Sequence, residues 1–371
     1  MTTATQLAKE AEKRKEEIES DRKIPDDLIV RVKNAGLVRL WTAKKYQGAE
    51  VSISSVSQVI RSMSYHNGSL AWVIGITNCS SLFSGYLPEE KARGIYSNEK
   101  AMIGGFAGPA GIAHVDGDGL VVSGTWSWGS GISHCSHIVG GVRIMDGDDF
   151  RSTGIVFFNP SEVILKDNWH VLGLRGSHSI DYGAKDVRIP NDRWSYFPLR
   201  DGLVDAPIYR FSFLGALSIS VASVGLGLAR RALDEIMDLA KVKSPFGQGK
   251  PLSGRTIFQQ ELAKIYGDYM AAETLLDQTI HSVQLEVSTT TCSNKSKGDI
   301  RLASCHATQL CSNVVHTAYR LAGGSSIWKT AKLEELLRDM NVVSQHGMVA
   351  QGNYRTVGSL LLGNQVPEQL L

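Results

Sequence analysis

Hydrophobic positions recur along the chain with two different periods, and the switches between them divide it into three zones. Up to about residue 100 the spacing is helical. Ser54 to Ser84 is a largely apolar stretch containing Ala71-Trp72-Val73-Ile74, and helix starts are marked by Pro25-Asp26-Asp27 and Pro88-Glu89-Glu90. Proline suits a first helical turn, and the acids complement the helix dipole. From 101 to about 203 glycine is dense and short β-branched runs recur, at Leu120 to Trp126, His137 to Ile144, Gly154 to Phe158 and Ala184 to Ile189. Turn signals such as Asp116-Gly117-Asp118-Gly119 and Asp146-Gly147-Asp148-Asp149 separate them, which predicts a compact antiparallel β-domain. From 204 to 371 the helical period returns, with one stripe at Leu217, Val221, Val224 and Leu228 and another at Leu262, Ile265, Tyr269 and Leu276. Polar residues 241–255 link these two long helices; a third covers about Lys297 to Leu321, and two more follow Gly323-Gly324. Long amphipathic helices of this kind predict a four-helix bundle. The fold class is α+β, with a helical domain at 1–100, a β-domain at 101–203 and a helical bundle at 204–371.

Composition adds mostly exclusions. The 371 residues suffice for a sizeable core, and 43% hydrophobic with 20% charged residues is ordinary for a globular protein. A net charge of +2 from scattered lysines and arginines points to neither nucleic acid nor an anionic membrane. The densest charge run, Lys9 to Lys23, mixes both signs and predicts a solvated helix face. No apolar stretch is expected to reach the roughly 18 residues of a membrane span, and the polar N-terminal stretch lacks the features of a signal or transit peptide. Five cysteines at irregular spacing (Cys79, Cys135, Cys292, Cys305, Cys311) suit reduced thiols and a cytoplasmic location.

Three motifs suggest chemistry that their context does not support. Gly225-Leu226-Gly227 begins like a dinucleotide fingerprint, but Arg230 replaces the third glycine and the surroundings are helical; small residues for close helix packing account for it better. His134-Cys135-Ser136-His137 lacks a second ligand pair at zinc spacing. Gly129-Ser130-Gly131 lacks the spacing of a nucleophile elbow.

The order helix, sheet, helix and a series of short motifs resemble the acyl-CoA dehydrogenase superfamily over nearly the whole chain. They are Ala35-Gly36-Leu37, Tyr46-Gln47-Gly48-Ala49-Glu50 and Ser69-Leu70-Ala71-Trp72; Val115-Asp116-Gly117 to Ser123-Gly124-Thr125-Trp126; Val171 to Ser177, followed by Lys185-Asp186-Val187-Arg188-Ile189-Pro190; and Leu336-Leu337-Arg338-Asp339. Family dehydrogenases remove a substrate α-proton with a carboxylate, often in a C-terminal Glu-Gly-Thr element. The matching stretch here, Asn341 to Val349, holds no acid.

Arg338-Asp339, Ser344-Gln345-His346 and Tyr354-Arg355-Thr356-Val357-Gly358 instead resemble the ending of two-component flavin monooxygenases on this fold, the hydroxyphenylacetate, indole and dibenzothiophene group. Trp126 to His134 is similar to their Ser-Ser-Gly-x-x-His segment. The resemblance implies reduced FAD or FMN from a separate NAD(P)H-dependent flavin reductase, O2 as co-substrate, a C4a-(hydro)peroxide that oxygenates a small aromatic compound, and a homotetramer. It implies a catalytic His346, holding and protonating the peroxide, with Ser130 and His134 beside it. Trp126, Trp128, Ser130, Gly131, Arg175, Ser177 and Lys243 are the expected flavin contacts; Asn78, Ser80, Phe106 and Trp128 are the expected substrate pocket. Packing alone remains an alternative for His346, strand anchoring for His134, and a loop-bridging ion pair for Arg175.

Two departures refine this. Lys243-Ser244-Pro245-Phe246-Gly247 stands where relatives carry Arg-x-x-Phe-Gly, keeping the charge but losing the bidentate fork, so FMN and FAD both stay open. Phenol-hydroxylating relatives carry a histidine shortly after the Ala-Trp element, whereas Gly75 to Ser81 has none. An electron-rich ring of indole type needs no phenolate, and it is the favoured substrate. A desaturase with its base elsewhere and a non-catalytic flavin-binding subunit are the competing functions.

Overall fold

The computed structural model describes residues 2–197, 202–244 and 249–367. Six helices come first: α1 (Thr2–Lys13), α2 (Lys15–Asp21), α3 (Asp26–Asn34), α4 (Ile53–Ser64), α5 (Gly68–Ser81) and α6 (Glu89–Tyr96). Pro25 precedes α3 with Asp26 and Asp27 in its first turn, as the sequence predicts. The apolar stretch from Ser54 is two helices rather than one. It breaks because the Asn67 side chain accepts the Leu70 N–H at 2.9 Å and so starts α5 afresh.

Seven strands follow: β1 (Ile103–Asp116), β2 (Gly119–Gly129), β3 (His137–Asp146), β4 (Asp149–Phe158), β5 (Ile164–Lys166), β6 (Ile180–Ile189) and β7 (Trp194–Tyr196). They form one sheet in the order β5-β6-β2-β1-β3-β4-β7. The expectation of a purely antiparallel domain is corrected, because β1 and β3 pair in parallel. β2 returns along one edge of β1, and the turn at Ser130 to Ser136 carries the chain across to the other edge.

Six α-helices follow among the described residues: α7 (Pro207–Arg210), α8 (Phe213–Val242), α9 (Thr256–Val287), α10 (Asn294–Ala322), α11 (Lys332–Val343) and α12 (Gly352–Leu361). α8 is long and apolar enough by composition to cross a membrane, which corrects the expectation that no stretch of the chain is. Most of it is buried against α4, α5, α10 and α11, as suits a bundle core. At Gly227 a β-carbon would stand 1.9 Å from Ser64 Oγ and 2.4 Å from the Arg61 carbonyl. Gly227 therefore serves close packing against α4, while Gly225 faces Met340 of α11 and Cys311 of α10.

The charged N-terminal run is not simply a solvated face, which corrects that expectation. Glu12 pairs with Arg231 at 2.8 Å, Lys15 with Glu335 at 3.0 Å and Glu19 with Arg338 at 2.8 Å, tying α1 and α2 to α8 and α11. All five cysteines are buried and unpaired.

Strand alternation sends Trp126 into the β-core. It is wholly buried, stacked on Tyr182 with ring centroids 5.4 Å apart, and its Nε1–H donates to the Gly141 carbonyl at 2.7 Å. Two residues on, Trp128 is 66% exposed. Trp126→Ala should therefore lower the unfolding free energy by about 3–5 kcal/mol, and Trp128→Ala by no more than about 0.5 kcal/mol. Denaturant titration of both variants checks the contrast, and similar losses would contradict it.

Candidate active site

The site is assembled around α5, which is buried on nearly every side and packs against α4, α8, β1 and the 174–179 loop. Trp72 carries the contacts that matter. Its Nε1–H donates to Ser130 Oγ at 3.0 Å, and its ring meets the His346 ring edge-on, with centroids 5.4 Å apart and planes at 73°. The Ser130 hydroxyl is 2.8 Å from Ser179 Oγ, which is 2.8 Å from Ser177 Oγ. Gly131, at φ 65°, donates its N–H to the Ser177 carbonyl at 2.9 Å. A side chain at Gly131 would be strained by that φ and would press on Val73. The structure thus brings Ser130, Gly131, Ser177 and His346 together through Trp72.

The 174–179 loop is held from α11. Leu174 and His178 both have positive φ, 48° and 45°, and bracket a single turn at Arg175–Ser177. The Leu174 N–H donates to Asp339 Oδ1 at 2.6 Å. Burial, reinforced by Glu335, pushes the Asp339 carboxyl up to about 7. Arg175 projects from this turn with its buried Nε unpartnered. No ion pair ties it to another loop among the described residues.

His346 ends the segment after α11, and its Nδ1 accepts the Met348 N–H at 3.2 Å. Burial, with a smaller push from the Arg301 charge, brings its pKa down to about 4. The ring is neutral near pH 7, and the acceptor role of Nδ1 leaves the proton on Nε2 as a donor.

Other expected residues lie apart or are engaged elsewhere. The His134 Nδ1 lies 3.2 Å from Asp26 Oδ1 at the start of α3, and Lys33 donates to the His134 carbonyl at 2.6 Å. Burial first, then Lys23, brings its pKa down to about 4. Its ring is a neutral contact between β-domain and N-terminal helices, matching the anchoring alternative. The Trp126 indole belongs to the β-core, so its assignment as a flavin-contacting side chain is corrected. Asn78 is corrected too, because its amide is spent on backbone, accepting from Leu40 N–H and donating to the Leu37 and Ile74 carbonyls, each at 2.8 Å. Ser80 lies two turns beyond Trp72 on the same face of α5, and its carbonyl accepts the Tyr96 hydroxyl at 2.7 Å. Phe106 meets Trp128 edge-on, with centroids 6.2 Å apart. Lys243 donates to the Ala322 carbonyl at the end of α10; the rest of its motif, Pro245-Phe246-Gly247, lies outside the described residues.

These residues suit a flavin. Trp128 offers a free aromatic face, and Arg175 an uncompensated cation. The Ser130 hydroxyl has one donor and two acceptor positions, of which Trp72 and Ser179 take two, leaving one for a ligand. Sequence reasoning did not assign roles to Ser179 or Asp339, or to the Trp72 indole N–H. Alternating serines at 177 and 179 were the available signal for the first.

Residues 219–351 match the family described as acyl-CoA dehydrogenase, C-terminal domain. The chain is similar to the acyl-CoA dehydrogenase superfamily and has its fold. Its similarity lies in the flavin monooxygenase branch. It is 26% identical to an indole-3-acetate monooxygenase of Acinetobacter baumannii, over 94% of this chain and 90% of that protein. The fold matches 3-HSA hydroxylase from Rhodococcus sp. RHA1 with a TM-score of 0.94 at 20% identity, covering 100% and 98% of the two chains. It also matches XiaF from Streptomyces sp. in complex with FADH2 and glycerol, with a TM-score of 0.91 at 22% identity and coverage of 98% and 97%.

The depressed histidines set a pH dependence. Below about 6.5 the unfolded chain takes up protons that folded His134 and His346 refuse. Their contribution to stability is therefore complete above that pH and falls toward pH 4. The raised Asp339 works oppositely, stabilising most in acid and losing that contribution as pH rises through about 7. His134→Gln should remove on the order of 2 kcal/mol of the stability lost between pH 7 and pH 5. Guanidinium denaturation at the two pH values checks this, and an unchanged acid loss would contradict it.

Proposed function

We propose that this protein is the oxygenase component of a two-component flavin-dependent monooxygenase. On this reading it takes reduced FAD or FMN from a separate NAD(P)H-dependent flavin reductase. It then uses O2 to hydroxylate or epoxidise a small aromatic or heteroaromatic substrate, of indole rather than phenol type. The observation that carries the proposal is the neutral His346, with its Nε2–H free to donate, packed on the Trp72 indole whose N–H fixes Ser130.

When bound, reduced flavin supplies the two electrons that let O2 deliver one atom to substrate and one to water. The protein's residues position and protonate. Ser130, its hydroxyl oriented by Trp72 and Ser179, offers its remaining hydrogen-bonding position to the flavin ring. Arg175 and Ser177 line the same edge, and Trp128 with Phe106 forms the aromatic wall. His346 donates a hydrogen bond from Nε2 where oxygen is activated, and would pass a proton on only as it takes one up in return, so that the ring stays neutral. Trp72 and the apolar body of α5 keep water away, which limits wasteful release of hydrogen peroxide.

Two observations support the indole preference. The Acinetobacter baumannii relative is named for indole-3-acetate, and α5 carries no histidine to deprotonate a phenol. Against the desaturase alternative, the acids nearest the C-terminal motif are engaged, Glu335 with Lys15 and Lys332 and Asp339 with the Leu174 N–H. Assembly as a homotetramer through the C-terminal helices is part of the proposal. Exposed Tyr266 and Met270 on α9 and Leu361 and Leu362 at the end of α12 support it.

Mixing the protein with reduced flavin and oxygenated buffer in a stopped-flow instrument tests the proposal. An absorbance transient should outlast that of free reduced flavin, and His346→Ala should shorten it on the order of tenfold or more while diverting oxygen to hydrogen peroxide. Oxidation as prompt as in free flavin would overturn the oxygenase reading. Coupled product formation that survives His346→Ala intact would overturn the role of the histidine.

A further inference from the structure

Arg301 lies on α10, directly beneath the turn that carries His346. It is only 2% exposed. Its Nη1 approaches Met348 Sδ at 3.1 Å and Asn353 Oδ1 at 3.3 Å, and its Nε has no partner. No carboxylate pairs with it among the described residues. Two other buried or part-buried arginines, Arg39 and Arg338, are compensated, whereas Arg175, also uncompensated, is less buried and belongs to the expected flavin edge. Arg39 donates to the Tyr46, Tyr96 and Asn98 carbonyls, and Arg338 is bracketed by Glu19 and Glu334.

A thioether and one amide oxygen do not balance a guanidinium charge. A buried charge left alone costs several kcal/mol, so a site that keeps one is built for an anion. The location is specific. Met348 touches Arg301 and also donates its N–H to His346 Nδ1, so an anion on the guanidinium would sit behind the imidazole that the proposed chemistry uses.

We propose that Arg301 is the receptor for an anionic oxygen group of the ligand at this site, namely a carboxylate carried by the aromatic substrate. The inference rests on the monooxygenase reading above and adds the substrate class, aryl acids rather than neutral arenes. The unengaged Nε edge of the planar guanidinium fork matches the two oxygens of a carboxylate. The same chemistry could come from the anionic pyrimidine edge of reduced flavin, and the test separates the two sources.

Equilibrium binding under anaerobic conditions, without turnover, is measured for indole-3-acetate, for 3-methylindole as the same ring without the acid, and for reduced FAD and FMN alone. Wild type should prefer the acid. Arg301→Met should weaken indole-3-acetate on the order of 30-fold, leave 3-methylindole and flavin within about twofold, and leave the ligand-free protein at least as stable as wild type. Arg301→Lys, which keeps charge without the fork, should fall between and serves if the methionine variant does not fold. An unchanged ratio of acid to neutral affinity in both variants overturns the inference, as does a loss confined to flavin binding. A marked loss of ligand-free stability in Arg301→Met would instead assign the residue a structural role. Wild type that binds neither flavin nor any indole would overturn the monooxygenase reading, and the inference with it.

Discussion

The burial of α5 is the constraint on which the rest of the structure depends. A helix apolar on nearly every face cannot lie on a surface, so the N-terminal helices, the bundle and the β-domain must all close over it. Trp72 brings one polar group into that interior. Its indole N–H requires an acceptor there, and Ser130 supplies it from the turn that follows β2. The hydroxyl expected to face the flavin is therefore positioned by the packing that holds the three parts of the chain together.

The second support comes from α11. Two left-handed non-glycine residues, Leu174 and His178, make the loop that carries Arg175, Ser177 and Ser179 a costly conformation. The buried Asp339 carboxylate holds the loop by its first N–H, and Ser177 passes the constraint on through the Gly131 N–H and the serine hydroxyls. α11 is tied in turn to α2 by Lys15 and Glu19. The charged N-terminal run thus reaches the candidate site in two steps. Sequence alone assigns such a run to solvent, because partners such as Arg231, Glu335 and Arg338 lie more than 200 residues away.

What the sequence makes legible follows from how local each cause is. Helix starts at Pro25 and Pro88, the β-branched runs and the stripes of α8 and α9 depend on neighbours within a turn or a strand, and they predict the fold class. Trp126 and Trp128 show where that logic ends. A period of two puts both indoles on one face, but β2 shifts register against β6 between Trp126 and Gly129, and Trp128 takes φ 63°. The bulge sends one ring into the core and the other to solvent. Asn78 fails for a related reason. A polar residue on an apolar helix suggests a pocket, whereas its partners at Leu37 and Leu40 are distant in sequence and backbone in kind.

Charge completes the picture. The protein keeps His346 neutral by burial and aims its proton outward by giving Nδ1 an acceptor role. It then places the uncompensated Arg301 on the far side of the same turn. The two choices are consistent with each other. A cation behind the imidazole disfavours a second proton on the ring, and an anion bound on Arg301 would relieve that pressure. Occupancy of Arg301 would then raise the readiness of the His346 ring to take up a second proton. Binding of an acidic substrate and protonation of the imidazole would be coupled through a single turn of chain, from His346 to Met348.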